Sequence, residues 1–264
     1  MRGSLAFAAL ACLLIPAAPA LADDWRNAAI GGSQDAIGNL VPDLLLTGAD
    51  GGRISLAQFR GKPLLVSLVY TGCADVCPLV IESLVSASGA AEETFGKGSF
   101  NILTVGFDTR RDTPDRMRSF ARTHHAGGEN WLFAAADAAT MNRLTAAVGF
   151  DFVAAAGGFD HPAQVTVLDG EGRVYAQIYG GAFGPPEVVE PLKSLIYGGA
   201  KPIFSFAGLG DRIKLFCTVY DPRTGRYYFD YSIIFSVLIG AGFLAGTLHF
   251  LLREVRKSVR AGRV

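Results

Sequence analysis

Two cysteines separated by three residues, Cys73 and Cys77, lie in the run Val69-Tyr70-Thr71-Gly72-Cys73-Ala74-Asp75-Val76-Cys77-Pro78. Residues i and i+4 of a helix share one face, with Cβ atoms roughly 5–6 Å apart. Two sulfurs so placed can close on a soft metal or on each other. The spacing differs from the C-x-x-C of ordinary thioredoxin-type redox motifs. Setting Cys12 in the leader aside, the chain has one further thiol, Cys217. An exported domain that needed disulfides for its core would carry more cysteines. The pair is therefore read as present for chemistry, with a simple disulfide or two packed thiols as the bland alternative.

Of four histidines, His161 is the candidate partner for the thiols, provided the strand order brings it to them. It lies in Gly157-Gly158-Phe159-Asp160-His161-Pro162, just before a strand-like run. Pro162 biases His161 toward an extended backbone, and Asp160 could orient its ring as outer-shell carboxylates do. His124 and His125 close a helix, where they complement its negative end. His249 lies within an apolar stretch and reads as an interfacial or packing residue. Two thiolates and one imidazole make a soft, trigonal donor set suited to Cu(I) or Zn. Structural zinc normally takes four protein ligands, so an open position favours copper transfer or a catalytic metal. Cys217 could resolve a mixed disulfide or join a dimer copper site; its bland reading is a spare thiol in a packing surface.

These residues must be positioned by an alternating α/β body. Leu44–Leu46 and Ile54–Leu56 flank Asp50-Gly51-Gly52 as a hairpin. Pro63–Tyr70 is continuously apolar, as in a central strand covered on both faces. Pro78 suits the first turn of a helix reaching Phe95, and Asp75 reads as its cap. A strand over Asn101–Phe107, a helix from Thr113-Pro114 to His125 and a helix over Ala138–Val148 follow. Gln164–Leu168 and Arg173–Tyr179 read as a hairpin, and Pro186–Ile196 as a last helix. The pattern implies a central mixed sheet with flanking helices.

Both ends of the chain point to a membrane. Arg2, the apolar Leu5–Ile15 and Ala20-Leu21-Ala22 form a secretory signal over residues 1–22. Residues 23–200 are the expected domain and 201–230 a juxtamembrane connector, with a turn at Asp221–Gly225. Tyr231–Leu252 carries no Asp, Glu, Lys or Arg, which is long enough to cross a ~30 Å hydrocarbon core. The tail, 253–264, has five basic residues and one acid, so it is expected on the cytoplasmic side. Tyr227, Tyr228 and Tyr231 sit where an aromatic belt would at the other boundary. The net charge of zero hides a split: without Arg2 and the tail, 18 basic face 23 acidic side chains. An acidic exported domain argues against nucleic acid.

Tyr70–Pro78 matches the Y-T-x-C-x-D-V-C-P segment of the Sco/SenC family, and the chain resembles that family of membrane-anchored, thioredoxin-like copper proteins. Asp108–Pro114 is similar to its D-P-x-R-D-T-P, and Arg60-Gly61-Lys62-Pro63 to its G-K-P. Asp160-His161, the strand after it and the Asp169/Glu171-Gly172 turn resemble its D-H-(strand)-D-x-D-G. The likeness runs from about Pro42 to Ile196. It implies a thioredoxin-like fold, copper held by Cys73, Cys77 and His161, and delivery or reduction at the copper centre of cytochrome c oxidase. Implied partners are that oxidase's copper subunit or another copper protein, at the periplasmic face of a bacterial inner membrane. Ala74 and Thr109 replace usual prolines, Pro162 replaces a small hydroxylated residue, and the anchor is C-terminal. Two further readings stand beside this one. In the first, Cys73 and Cys77 are the catalytic pair of a thiol-disulfide oxidoreductase. In the second, the chain is a redox or copper sensor, for which twelve cytoplasmic residues offer little.

Overall fold

The computed structural model describes residues 20–198, 206–224 and 226–261. Helix α1 spans Ala20–Asp35; the leader expected over 1–22 otherwise lies outside the described residues. Strands β1 (Leu45–Gly48) and β2 (Arg53–Ser55) form the expected hairpin, followed by a 3-10 turn at Leu56–Phe59. The core elements are β3 (Leu64–Val69), α2 (Val76–Phe95), β4 (Asn101–Gly106), α3 (Pro114–Thr123), β5 (Trp131–Ala135) and α4 (Ala138–Val148). A small ribbon, β6 (Val153–Ala155) and β7 (Gly158–Asp160), precedes β8 (Gln164–Leu168), β9 (Val174–Tyr179) and α5 (Pro185–Tyr197). Within the stretch expected as a connector lie α6 (Phe206–Cys217) and a second ribbon, β10 (Thr218–Asp221) and β11 (Arg226–Phe229). The long helix α7 covers Ser232–Ala261.

Seven strands form one sheet in the order β2-β1-β5-β4-β3-β8-β9. β3 is parallel to β4 and antiparallel to β8, so the sheet is mixed. Every residue of β3 is buried, which explains its unbroken apolar run. One core packs α2, α3 and α5 against one face through Ile81, Leu84, Met117 and Leu192. A second core packs α4 and the 3-10 turn against the other through Met141, Leu144, Leu56 and Phe59. The fold is thioredoxin-like, with one apolar C-terminal helix, as the sequence reading expects.

Strand β5 has no counterpart in that reading. It is a short apolar run between β4 and α4, and such runs are ambiguous by periodicity alone. It pairs with both β4 and β1. α1 rests on the β9 and α4 side, where Gln177 Nε2 donates to Ser33 O (3.1 Å) and Val148 O (2.9 Å). Gly149 ends α4 at φ 63°, and a Cβ there would lie 2.7 Å from Gly32 O. That close approach requires glycine.

Strand direction sets the location of the site. β3 and β4 are parallel, so the loops after them leave the same edge of the sheet. β8 runs the other way with Ser67 opposite Val165, so the residues before β8 start from that edge too. Tyr70–Cys73, Phe107–Asp112 and His161 therefore meet. Ligands characteristically bind outside the carboxyl ends of strands in open α/β sheets.

Candidate metal centre

Cys73 sits in the turn after β3, its N–H donating to Tyr70 O at 3.0 Å. Cys77 is in the first turn of α2 and is 1% exposed, whereas Cys73 is half-buried. Both are free thiols. Asp75 occupies the N-cap position, but its side chain makes no capping hydrogen bond, contrary to the cap expected from the sequence. The Cys73 sulfur takes that place, accepting from Cys77 N at 3.4 Å. A helix N-terminus leaves such N–H groups without intrahelical partners. The local sequence thus aims the helix's positive end at a sulfur.

The two thiols have opposite acidities. Burial alone would raise the Cys73 thiol, but hydrogen bonds from the N–H groups of Cys77 and Asp75, together with those from the Cys77 and Tyr70 side chains, outweigh it and hold Cys73 below its ordinary value. Burial, reinforced by neighbouring Cys73, pushes the Cys77 thiol far up. At neutral pH Cys73 is the better nucleophile and Cys77 a protonated reserve.

His161 reaches the pair from across the sheet edge. Its Nε2 lies 3.9 Å from Cys77 Sγ, and its Nδ1 lies 3.0 Å from Pro162 O. A carbonyl accepts, so Nδ1 carries the proton and Nε2 turns a lone pair toward the thiol. Burial lowers the His161 pKa, which keeps the ring neutral and able to ligate. The ring is walled by Tyr70, Phe107 and Phe150, with centroids 5.9, 5.3 and 5.6 Å away. Cys73 and His161 line one groove, together with Tyr70, Asp75, Phe159 and Arg26 of α1.

Among the described residues, no three His, Cys, Asp or Glu side chains are gathered tightly enough to form a closed metal site. The separation from Cys77 nonetheless suits a metal held between donors. The 3.9 Å between Cys77 Sγ and His161 Nε2 is short enough for one ion to be shared by both atoms at ordinary metal–S and metal–N lengths. The donor set of thiolates and neutral imidazole fits a soft monovalent ion.

His124 is remote from this cluster, closing α3 with its ring against Phe120 at 4.4 Å. His125, at φ 50°, follows it. Cys217 ends α6 and is 2% exposed, as a packing thiol would be. The sequence reading assigned no role to Asp112 or to the aromatic wall. Asp112 Oδ1 accepts from Thr71 N (2.9 Å) and Thr71 Oγ1 (2.7 Å), and Oδ2 accepts from Asp108 N (2.9 Å). It ties the cysteine turn to the loop after β4. Its signal was present in the Asp108–Pro114 motif, and alternating Phe150 and Phe152 marked the wall.

The chain is similar to several known proteins. A Stutzerimonas stutzeri protein named for copper binding is 26% identical over 159 residues, covering 59% of this chain and 73% of that protein. An Aquifex aeolicus crystal structure named for electron transfer is 29% identical with a TM-score of 0.56, covering 62% of this chain and 96% of that one. Bradyrhizobium japonicum ScoI, solved with copper bound, shares the fold at 22% identity and a TM-score of 0.50, covering 59% and 99%. The SCO1/SenC family model matches residues 34–197, a stretch that holds both cysteines, His161 and every strand of the large sheet, and the chain belongs to the SCO1/SenC family.

Proposed function

We propose that this chain is a membrane-anchored, extracytoplasmic copper carrier that holds Cu(I) on Cys73, Cys77 and His161. In this reading it passes the ion to a copper protein, and the copper subunit of cytochrome c oxidase is the recipient suggested by the family. The single observation that carries the reading is the His161 Nε2 lone pair facing Cys77 Sγ at 3.9 Å, with Nδ1 committed to Pro162. Copper is cargo here. Thiolates select Cu(I), and imidazole completes a three-donor set with one side open. Half-buried Cys73 on the groove side offers a recipient's thiol or imidazole a route of approach. The copper-binding names of the Stutzerimonas and Bradyrhizobium proteins support the same assignment.

The proposed layout is a removed leader (1–22), a metal-binding domain (23–200), a connector (201–230), a span (231–252) and a cytoplasmic tail (253–264). An apolar window of α7 over Ile234–Arg253, none of it buried, supports the span. Orientation follows from the basic tail.

A second reading rests on the unequal thiols. Cys73 thiolate would attack a client disulfide, forming a mixed disulfide and releasing one client thiolate. Cys77, after losing its proton, would then attack Cys73 Sγ. The second client thiolate would leave and a Cys73–Cys77 disulfide would remain. Two electrons pass to the client, and an external dithiol must restore the pair. This route needs no histidine.

The test is a Cu(I) titration of the detergent-solubilised full chain beside a thiol-disulfide exchange assay. His161→Ala is expected to lose more than roughly 100-fold in affinity, beyond the 10–100-fold typical for an outer-shell partner, while exchange continues. If His161→Ala binds Cu(I) like the parent, the carrier reading fails and the oxidoreductase reading stands.

A further inference from the structure

The segment between the domain and α7 is a folded module with two unlike faces. In the β10–β11 ribbon, Tyr220 pairs with Tyr227 and Val219 with Tyr228. Successive strand residues point to opposite faces, so each pair belongs to one face. The Tyr227 face meets the domain. Its hydroxyl donates to Glu190 Oε1 at 3.1 Å. Lys193 Nζ joins Glu190 at 2.9 Å and donates to Thr218 O at 3.0 Å. At the turn end of the ribbon Arg226, which by the same alternation belongs to the face opposite Tyr227, also pairs with Glu93 of α2 at 3.6 Å.

Toward α7 the other face is apolar and bare, while its turn end carries the Asp221–Arg226 pair. Val219 is 36% and Tyr228 51% exposed. Ile213 and Phe216, three apart on α6 and so on one side of it, are 38% and 68% exposed, and Tyr231 is 62% exposed. Lys214, the neighbouring position, lies 5.6 Å from the Tyr197 ring centre on α5. The module is thus held to the domain on its polar side and leaves a patch of large apolar and aromatic side chains uncovered.

Two hydrogen bonds fix where that patch lies relative to α7. Asp230 N donates to Cys217 O at 2.6 Å, and Ser232 N donates to Asp230 Oδ1 at 2.8 Å. The carboxyl end of α6 is therefore bonded to the residue that caps α7. The apolar window begins at Ile234, four residues beyond Asp230. With α7 helical only from Ser232, that is at most about 10 Å. The polar interface of a bilayer adds roughly 5–8 Å on each side of a ~30 Å core. The Cys217–Asp230 junction therefore lies at about that depth, with Phe216 and Tyr231 adjacent to it in sequence and Tyr228 two residues before it.

We infer that α6 and the β10–β11 ribbon form a platform seated in the bilayer interface, with Ile213, Phe216, Val219, Tyr228 and Tyr231 against lipid. The inference rests on the reading of α7 as a membrane span. The occupant of the apolar face is lipid because the face is continuous with the span and meets it at headgroup depth. Aromatic side chains with one wet end favour that layer. The consequence concerns the metal centre. The ribbon engages α2 at Glu93 in its last turn, whereas Cys77 is in its first turn. Sixteen residues of helix separate them by about 24 Å. The platform does not leave the domain to swing on a tether; it holds the cysteine end of α2 at a set distance and angle from the membrane, available to a recipient that is itself membrane-bound.

The experiment adds single tryptophans to the full-length chain reconstituted in phosphatidylcholine–phosphatidylglycerol vesicles, one set with acyl chains brominated near the headgroup to read the platform and one brominated near the chain ends to read the span. Phe216→Trp and Tyr228→Trp probe the platform, Phe243→Trp the span and Tyr175→Trp, on β9, the domain surface. The parent, with Trp25 and Trp131, supplies the baseline. The added emission at 216 and 228 is expected to fall by about half or more, as for side chains about 5–10 Å into the interface, while that at 175 is unchanged. Quenching at 243 without quenching at 216 and 228 overturns the platform and leaves the span intact, whether water or another protein covers the patch. No quenching at 243 removes the span reading and the platform with it.

Discussion

Replacing Asp112 by Asn tests whether the loop after β4 positions the cysteines proposed to bind copper. Asp112 is 3% exposed and accepts three hydrogen bonds, two from Thr71 and one from Asp108 N. An asparagine can keep its oxygen on Thr71. Its amide NH2 then faces the Asp108 N–H, donor against donor. A buried donor left without a partner costs about 1–3 kcal/mol, and removing a buried charge offsets part of that. The expected net loss is about 1–2 kcal/mol. At about 2–4 °C per kcal/mol for a domain of this size, Tm should fall by roughly 2–8 °C. Asp112→Ala strands all three donors and should cost about 3 kcal/mol or more.

A pH series separates this from a generic packing defect. Burial raises the Asp112 pKa above its usual value, so the native state holds its proton more tightly than the unfolded chain. The corresponding stability is fully present below the unfolded pKa and is lost as pH rises through the folded one. The parent's advantage over Asp112→Asn should therefore be larger near pH 4, about the unfolded value, and narrow toward neutrality. Thermal unfolding followed by circular dichroism across that range measures the gap, and Cu(I) competition measures the site. Equal stability together with unchanged Cu(I) affinity would refute the reasoning, as would a gap that widens with pH.

Gly158→Ala should move Tyr70, because a Cβ there would lie 2.6 Å from Tyr70 Oη; the expected result is weaker Cu(I) binding, read by chelator competition, with α2 still folded. Cu(I) loading at neutral pH should release between about one and about two protons per metal: a whole one from Cys77, a fraction from Cys73 and none from His161. Calorimetry in buffers of different ionisation enthalpy reads this number, and about three would mean that His161 is protonated in the empty site. A reporter fused after Val264 should be active in the cytoplasm, and activity confined to the periplasm would reverse the topology.

Chemistry and local structure were legible along the chain because they are local. The i, i+4 cysteines, the unbroken apolar run of β3, Pro78 and Pro114 in first helical turns and the charge-free stretch before a basic tail each depend on residues close in sequence. A short strand such as β5 gives no periodic signal distinct from a helix segment, and it declared itself only by pairing with β1 and β4. The convergence of His161 with Cys77, 84 positions away, was implied by family likeness but could not be derived from spacing. It depends on β8 running antiparallel to β3 in one register. The cap of α2 was misread for a related reason: Asp75 has the right chemistry, but the turn brings the Cys73 sulfur to the Cys77 N–H instead. Asp112 and the aromatic wall acquire their roles only when strand order brings separate loops to one edge. The sequence determined which groups could bind a soft metal and which segments could reach a membrane. Tertiary structure decided which groups face one another, because long-range strand pairing, and not local propensity, sets the distances between them.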